Sequence, residues 1–573
     1  MSAASSSRRP FGSGILVVII ATLLLSPIFR PVSGQTPADE LANLLRSRVE
    51  SENGVQNRLI AVGAERLHAA NELPRFYRGR AFEPAWVNDM GQLPVADSLV
   101  AAVERAVYEG LDPAHYHMDR IRQISRELGR AHATGAGLDL ERLAELDLLL
   151  TDAFLVYASH LAGGRVDPAT IHPEWSAQPR SVDLVAKLDM ALATGEVVSA
   201  LEELLPSHPG YGRLREALAD YRRVAAQGGW PEVPGRTLRP GMRDPGVALL
   251  RQRLRLTGDL TSSWRGADEQ LYDHEVEEAV RRFQARHNVE PTGIVGLETS
   301  GYMNVPVERR IRQLERNLER WRWLPRDLGE RHILVNIAGF EMHVMEGDSS
   351  IFRSRVLVGQ RYRKTPVFSD RMTYLVLNPT WTIPPGILEQ DKLPYIRRDV
   401  GYLARNNITV LGANGQAVDP RTIDFSSLTG RTGYRFRMDP GPENPLGQVK
   451  FMFPNQHHIY LHDTPDHDDF DRTGGAVSSG CIRVERSMDL AELLLSASPG
   501  WTRQRIERAA ATGPVDQHMP LRRPLPIHIL YWTAWVEPDG AVHFRPDVYD
   551  RDAALDEALR QPPPSATGDV EAR

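Results

Sequence analysis

The hydrophobic period of this chain changes once, close to Pro325, and no other feature limits the fold as much. Before that point apolar residues recur at helical spacing, as in Leu99, Val103, Ala106 and Val107, in Leu143, Leu146 and Leu150, and in Ile311, Leu314, Leu318 and Trp321. After it the pattern alternates as strands do, through His332-Ile333-Leu334-Val335-Asn336-Ile337, then Phe340, Met342 and Val344, then Val356 and Val358. Tyr374-Leu375-Val376-Leu377 and Ile459-Tyr460-Leu461 add two more strands. At 573 residues the chain is too long for one core. The expected fold class is multidomain α+β, helical first and β-rich last.

Turn residues divide the chain further. Gly228-Gly229-Trp230-Pro231 and Pro234-Gly235 end the first helical region. Leu238 to Asn304 then forms a compact unit, with Val247, Leu250 and Leu254 on one helix face and Val276, Ala279, Val280 and Phe283 on another. Asp273 is placed to cap the second of these helices. Between Asn378 and Gly447 an irregular stretch rich in Pro, Gly and Arg, with a helix-like run around Ile396 to Arg405, separates two strand patterns. It reads as an insertion, and long insertions near chemistry often act as lids. The expected divisions are a leader over 1–34, a helical domain over 35–232, a three-helix unit over 236–305, a linking helix over 306–325, a β-rich domain over 326–545 carrying the insertion at 378–447, and a C-terminal tail over 546–573. In the helical domain His115, Tyr116 and His117 follow Asp112-Pro113 and read as a turn with surface histidines.

A net charge of −6 with both signs well represented gives no electrostatic case for nucleic acid. Arg309-Arg310 and Arg320-Trp321-Arg322 lie in a helical pattern and read as solvated faces. At the N-terminus Arg8 and Arg9 precede an apolar run from Ile15 to Leu25, then Pro27, Pro31 and the small pair Ser33-Gly34. That layout is a secretory signal peptide cleaved after Gly34. The run falls short of the roughly 20 residues that span a bilayer, and an uncleaved membrane anchor that also uses Ile28 and Phe29 is the alternative. Ser7-Arg8-Arg9-Pro10-Phe11 is similar to a twin-arginine signal, so the export route stays open. The expected location is outside the cytoplasm, in the periplasm or cell envelope.

Cys481 is the only cysteine, so no intramolecular disulfide exists and the thiol is reactive, bridged to another chain, or inert and buried. Its setting is Ser478-Ser479-Gly480-Cys481-Ile482-Arg483, and His462 follows the strand Ile459-Tyr460-Leu461. A neighbouring imidazole can take the thiol proton and leave a nucleophile. Gly480 permits a tight turn whose backbone N–H groups can face a developing oxyanion. Arg483 would set a cation near a substrate carboxylate. Tyr460 and Trp381 read equally as substrate contacts or packing residues, and Asn444 as a substrate contact or a partner for backbone groups. A rival reading takes Asp463, Asp466, His467, Asp468, Asp469 and Asp471 with His457, His458 and His462 as zinc ligands of a peptidase, although they match no spaced zinc motif.

His462-Asp463-Thr464-Pro465 and Ser478-Ser479-Gly480-Cys481-Ile482-Arg483-Val484 resemble the catalytic signature of the L,D-transpeptidases, which cross-link peptidoglycan. The resemblance extends to Arg363-Lys364-Thr365-Pro366, Asn378-Pro379-Thr380-Trp381 and Pro440-Gly441-Pro442-Glu443-Asn444 with Leu446-Gly447. It also takes in Asn317 to Pro325 and Tyr531-Trp532-Thr533-Ala534-Trp535. Phe283-Gln284 and the ending Gly293, Gly296 and Thr299 resemble a peptidoglycan-binding domain, which implies a wall-polymer anchor, with a structural spacer as the alternative. Together these imply the large subgroup with a helical scaffold domain, a peptidoglycan-binding domain and a lid-like insertion. The resemblance makes Cys481 the nucleophile, His462 the base and the Asp463 carbonyl the group that orients the imidazole. The backbone at Gly480 would supply the oxyanion hole, and Arg483, Ser479, Ser478, Tyr460, Trp381 and Asn444 are the substrate-binding candidates. Many family members carry histidine where this chain has Ser479. The implied partners are peptidoglycan stem peptides and glycan, with carbapenems acylating Cys481, and neither a cofactor nor a metal is expected. The implied reaction releases D-alanine from a tetrapeptide stem through a thioester and forms a 3→3 cross-link. An L,D-carboxypeptidase or amidase using the same pair, and a wall-binding scaffold without activity, are the alternatives.

Overall fold

The computed structural model describes residues 36–50, 60–63, 65–135, 137, 139–175, 182–261, 268–471 and 474–563. The expected leader over 1–34 lies outside the described residues.

The helical half is built around α1 (Leu140–Gly163). This helix is long and apolar enough to cross a membrane, but 89% of its most apolar window is buried inside the protein, so it serves as a core helix. Its buried carboxylates are satisfied by loop backbone: Asp147 accepts from the Ala85 and Trp86 N–H groups at 2.8 and 2.7 Å, and Asp152 from the Ala69 N–H at 2.7 Å. The expected surface turn at 115–117 is corrected here. Tyr116 and His117 are buried, and the His117 ring bridges Glu65 at 3.0 Å and Asp152 at 2.8 Å. Burial opposes the charged ring, but the Asp152 and Glu65 carboxylates outweigh it and hold the His117 pKa above its ordinary value.

After α2 (Pro209–Ala226) comes a three-helix unit of α3 (Pro245–Leu256), α4 (His274–Arg286) and α5 (Leu297–Met303). Asp273 caps α4, its carboxylate accepting from the Val276 N–H at 3.1 Å. Buried Gln284 joins the helices: its amide donates to Thr299 Oγ1 at 3.1 Å and to Ile294 O at 2.9 Å, and its oxygen accepts from the Gly293 N–H at 2.9 Å. The glutamine, the glycine turn and the threonine are thus one hydrogen-bonded unit.

The helix α6 (Val307–Arg322) runs between the helical half and the β domain. Arg309 and Arg312 are exposed as expected, but the other arginines of the run are not a solvated face. Arg310, Arg320 and Arg322 are buried, with Arg320 paired to Asp552 at 2.7 Å and Arg322 to Glu319 at 2.6 Å. Charge runs on a helix look alike whether water or carboxylates surround them, and here one carboxylate comes from the same helix, Glu319, and the other from the C-terminal segment, Asp552. Glu319 also accepts from the Arg165 and Val166 N–H groups, which ties α6 to the end of α1. Asn317 and Thr533 exchange hydrogen bonds at 3.0 Å, and Trp321 stacks on Trp532 with centroids 4.3 Å apart.

The β domain contains β1 (Arg331–Asn336), β2 (Glu341–Glu346), β3 (Ser349–Gly359), β4 (Phe368–Leu377), the insertion strands β5 (Trp381–Thr382), β6 (Ile408–Leu411) and β7 (Arg435–Met438), then β8 (Val449–Met452), β9 (Leu461–His462), β10 (Ala476–Ser478), β11 (Ile482–Val484) and β12 (Gln517–Leu530). Strand order is β10-β3-β11-β9-β8-β4-β12-β1-β2, and a β2–β3 pairing closes the ring. Ile333, Val335, Val344, Leu375, Leu461, Ile482 and Ile527 fill its interior. The insertion is more regular than expected. It forms its own sheet, β6-β7-β5, over a separate core that includes Leu393, Ile396, Leu403 and Phe436. The expected tail is corrected as well: α7 (Asp552–Arg560) packs Leu555 into the barrel core, and Tyr549 is fully buried.

Candidate active site

The strands β9 and β11 pair in parallel, with Leu461 opposite Ile482 and His462 opposite Arg483. Leu461 and Ile482 point into the barrel core. Side chains alternate across a strand, so Tyr460, His462, Cys481 and Arg483 share the opposite face. The register therefore sets base and nucleophile on neighbouring strands of one surface.

The Nδ1 of His462 donates to the Asp463 carbonyl at 2.5 Å. A carbonyl only accepts, so this bond fixes the tautomer and leaves Nε2 with a lone pair. Burial lowers the His462 pKa to about 4, helped by the positive charge of Arg483, although the Asp463 and Pro445 carbonyls favour the charged ring. Burial likewise pushes the Cys481 thiol up to about 11, against hydrogen bonds from Tyr460. The resting pair is neutral. Among the described residues Sγ has no hydrogen bond to His462; it donates to the His458 carbonyl at 4.0 Å and faces the Tyr460 hydroxyl.

The turn before the thiol depends on Gly480, at φ +115°, a region that L side chains rarely adopt. Its N–H, expected as an oxyanion donor, is committed within the turn and donates to Ser478 Oγ at 3.1 Å. The Ser478 hydroxyl in turn donates to the Cys481 carbonyl at 2.5 Å, so Ser478 builds the turn and is not free to contact substrate. The Cys481 N–H has no hydrogen-bond partner among the described residues and is the amide left for an oxyanion.

The remaining candidates separate by location. Arg483 pairs with Asp469 at 3.0 Å and Asp466 at 3.9 Å, on the face that carries His462. Ser479 accepts from Arg363 at 2.8 Å, and Arg363 also pairs with Asp391 at 2.8 Å, so the nucleophile turn is linked to the insertion. Tyr460 lies between the two regions, its hydroxyl facing both the thiol and the Trp381 indole and its ring 5.7 Å from that of His462. Trp381 belongs to the insertion core. Asn444 is 1% exposed and donates to Pro379 O at 2.9 Å while accepting from the Leu446 N–H at 2.9 Å, so it pins the two ends of the insertion and does not reach the thiol face. Four carboxylates of the acidic stretch face partners of their own, Asp463 facing Ser487, Asp471 facing Arg355, and Asp466 and Asp469 facing Arg483.

Three stretches of the chain are similar to known families. Residues 330–506 match the model described as "L,D-transpeptidase catalytic domain", residues 71–218 the "Scaffold domain", and residues 243–303 the "Putative peptidoglycan binding domain". The chain carries an L,D-transpeptidase catalytic domain. A curated protein of Haemophilus influenzae named "Putative L,D-transpeptidase" is 36% identical over 243 residues, which is 42% of this chain and 48% of that protein. The match thus spans about half the length of that relative. Two crystal structures align over 52% of this chain at 13% identity with a TM-score of 0.15. They are an L,D-transpeptidase (residues 123–326) from Xylanimonas cellulosilytica, 98% covered, and a fused Zn-dependent amidase/peptidase/peptidoglycan-binding domain-containing protein from Clostridium acetobutylicum, 100% covered. Likeness at that level supports no conclusion here.

Two residues of the L,D-transpeptidase domain escaped the sequence reading. Ser487 donates to the Asp463 carboxylate at 2.7 Å, and the Gln448 N–H donates to the same carboxylate at 2.9 Å. Gly447, at φ +59°, lies so close to that carboxylate that a Cβ would overlap it. The residue that orients His462 through its carbonyl is thus itself fixed through its side chain. Gly447 lies in the Leu446-Gly447 pair that carries part of the family resemblance, but nothing local in the sequence marks Ser487.

Proposed function

We propose that this chain is a peptidoglycan L,D-transpeptidase working outside the cytoplasm, where its polymer substrate lies. The observation that carries the reading is the shared face of Cys481 and His462 inside the L,D-transpeptidase domain match. Sγ attacks the carbonyl before the terminal D-alanine of a tetrapeptide stem while Nε2 of His462 takes the thiol proton. The oxyanion forms against the Cys481 N–H. Collapse breaks the C–N bond, D-alanine leaves with the proton from His462, and a thioester remains. The side-chain amine of a diamino acid in a second stem then attacks the thioester and gives a proton to His462, the C–S bond breaks, the departing sulfur takes that proton back, and a 3→3 cross-link results. Support for a wall-polymer substrate comes from the match over 243–303. The arginine-led apolar run before Gly34 supports export.

Incubation with disaccharide-tetrapeptide followed by mass spectrometry tests the reading. The expected product is a dimer lacking one D-alanine, absent with Cys481→Ala. Tripeptide without dimer would replace transpeptidation by L,D-carboxypeptidase activity, and turnover that survives Cys481→Ala would end the cysteine mechanism altogether.

A further inference from the structure

Thr365 lies between β3 and β4 and is fully buried. Its hydroxyl donates to the Gly480 carbonyl at 2.8 Å and accepts from the Gly359 N–H at 2.9 Å. Its own N–H donates to the Tyr549 hydroxyl at 3.2 Å, and that hydroxyl donates onward to the Gly359 carbonyl. Its carbonyl accepts from Arg551 at 3.3 Å, and Arg551, with no exposed surface, also binds Glu174 of the helical half at 2.9 Å. Every polar atom of Thr365 is therefore engaged, by partners from the barrel and from the segment after it, and that segment is in turn held by the helical half.

The consequence falls on the peptide between Gly480 and Cys481. That unit is planar and trans, so the Gly480 C=O and the Cys481 N–H point in opposite directions. Holding the oxygen on Thr365 turns the N–H away from Thr365, where it has no partner among the described residues. Gly480 at φ +115° has no Cβ to restrict its own rotation, so without that bond the plane is held only indirectly, by the Ser478 bonds to the Gly480 N–H and the Cys481 carbonyl on either side of it. We infer that Thr365, clamped by Tyr549 and by the Arg551–Glu174 pair, is the positioning residue that aims the Cys481 amide at the oxyanion of acyl transfer. The inference rests on Cys481 being the nucleophile that is acylated.

Two reactions of the same thiol separate this role from a general structural one. Alkylation by iodoacetamide displaces iodide at a tetrahedral carbon and forms no oxyanion, whereas acylation by a carbapenem passes through one. Each rate is measured on the full chain as adduct mass at Cys481, for the wild type and for Thr365→Val, Thr365→Ser and Tyr549→Phe. Thr365→Val is expected to slow carbapenem acylation by about 100-fold, the scale of a lost oxyanion donor, with alkylation within about threefold of wild type. Thr365→Ser keeps the hydroxyl and should recover to within about fivefold, and Tyr549→Phe should fall between the two. Should Thr365→Val fail to fold, as read by circular dichroism, the same comparison is made on Tyr549→Phe and Arg551→Lys. Equal slowing of both reactions, no slowing of either, or a serine variant as slow as the valine one overturns the clamp. A wild-type protein that is alkylated but neither acylated nor active on disaccharide-tetrapeptide overturns the transpeptidase reading and the clamp with it, and is told apart by the wild-type blank.

Discussion

With Nδ1 of His462 bound to the Asp463 carbonyl and the ring held at a pKa of about 4, the imidazole keeps its accepting lone pair far into acid. The Cys481 thiol, pushed up to about 11, stays protonated at neutral pH, so attack needs the proton to move as the S–C bond forms. An unperturbed histidine would lose half its base form near pH 6.5. The acylation rate, measured as kcat/KM on disaccharide-tetrapeptide, should therefore stay level from about pH 5.5 to about pH 9. An acid limb centred near 6.5, or a rate climbing tenfold per unit toward pH 9 as thiolate accumulates, would contradict the neutral resting pair. At this scale the motif made the chemistry legible, because Cys481 and His462 stand in distinctive local wording. Their supports were not legible. Thr365 reaches Gly480 across 115 residues and Ser487 reaches Asp463 across 24, through single side-chain bonds that leave no periodic trace.

Among the elements, the insertion depends on one buried side chain at its root. Asn444 joins the outgoing strand at Pro379 to the returning one at Leu446, and it also reaches the Asp439 carbonyl at 3.3 Å. Asn444→Ala leaves these backbone groups unpaired at a cost of about 1–3 kcal/mol each. Because the insertion has its own core, that cost should fall on it and not on the barrel. Amide exchange over 379–446 should quicken, cross-linking should fall as the cover over Tyr460 and Trp381 loosens, and the barrel amides of β1 and β12 should keep their protection. Uniform loss of protection, or none, would show that the insertion is not a separate unit. The same independence explains what the alternation pattern missed. The strands β5 to β7 are two to four residues long, too short for a period of two to be read. β12, fourteen residues long, is interrupted by Pro520, Arg522, Arg523, Pro524 and Pro526, and its register shifts between Pro520 and Leu525. By contrast β1, with an unbroken apolar run in the barrel wall, was plain in the sequence.

Across the whole molecule, the helical half, the barrel and the C-terminal segment are joined by buried polar groups such as His172 and Arg551, and the fold buries several histidines in their neutral form. His172 faces the Arg551 carbonyl at 3.2 Å, His528 the Leu328 carbonyl at 3.0 Å, and His462 the Asp463 carbonyl. Burial lowers all three to about 4. In the unfolded chain each takes a proton near pH 6.5, whereas in the folded protein it does not until about pH 4. Between those values the unfolded state binds more protons, so stability falls as pH falls, by about 1.4 kcal/mol per pH unit for each histidine. His117 works the other way: its pKa is raised in the fold, so its contribution is present below about pH 6.5 and fades as pH rises through the folded value. His208 and His543 are lowered to about 4 in the same way, so groups of this kind outnumber His117 and give a net loss on acidification. Carboxylates held low in the fold, such as Glu341 at about 2, add their own loss only further into acid. The melting temperature should therefore fall from pH 7 to pH 5, before carboxylate protonation begins, and His528→Gln should flatten that slope, since glutamine can donate to the Leu328 carbonyl without titrating. A melting temperature that holds over this interval would mean that burial does not lower these rings, and one that rises would mean that they gain protons on folding. In either case the level acylation rate argued for the neutral His462 would give way to an acid limb near pH 6.5.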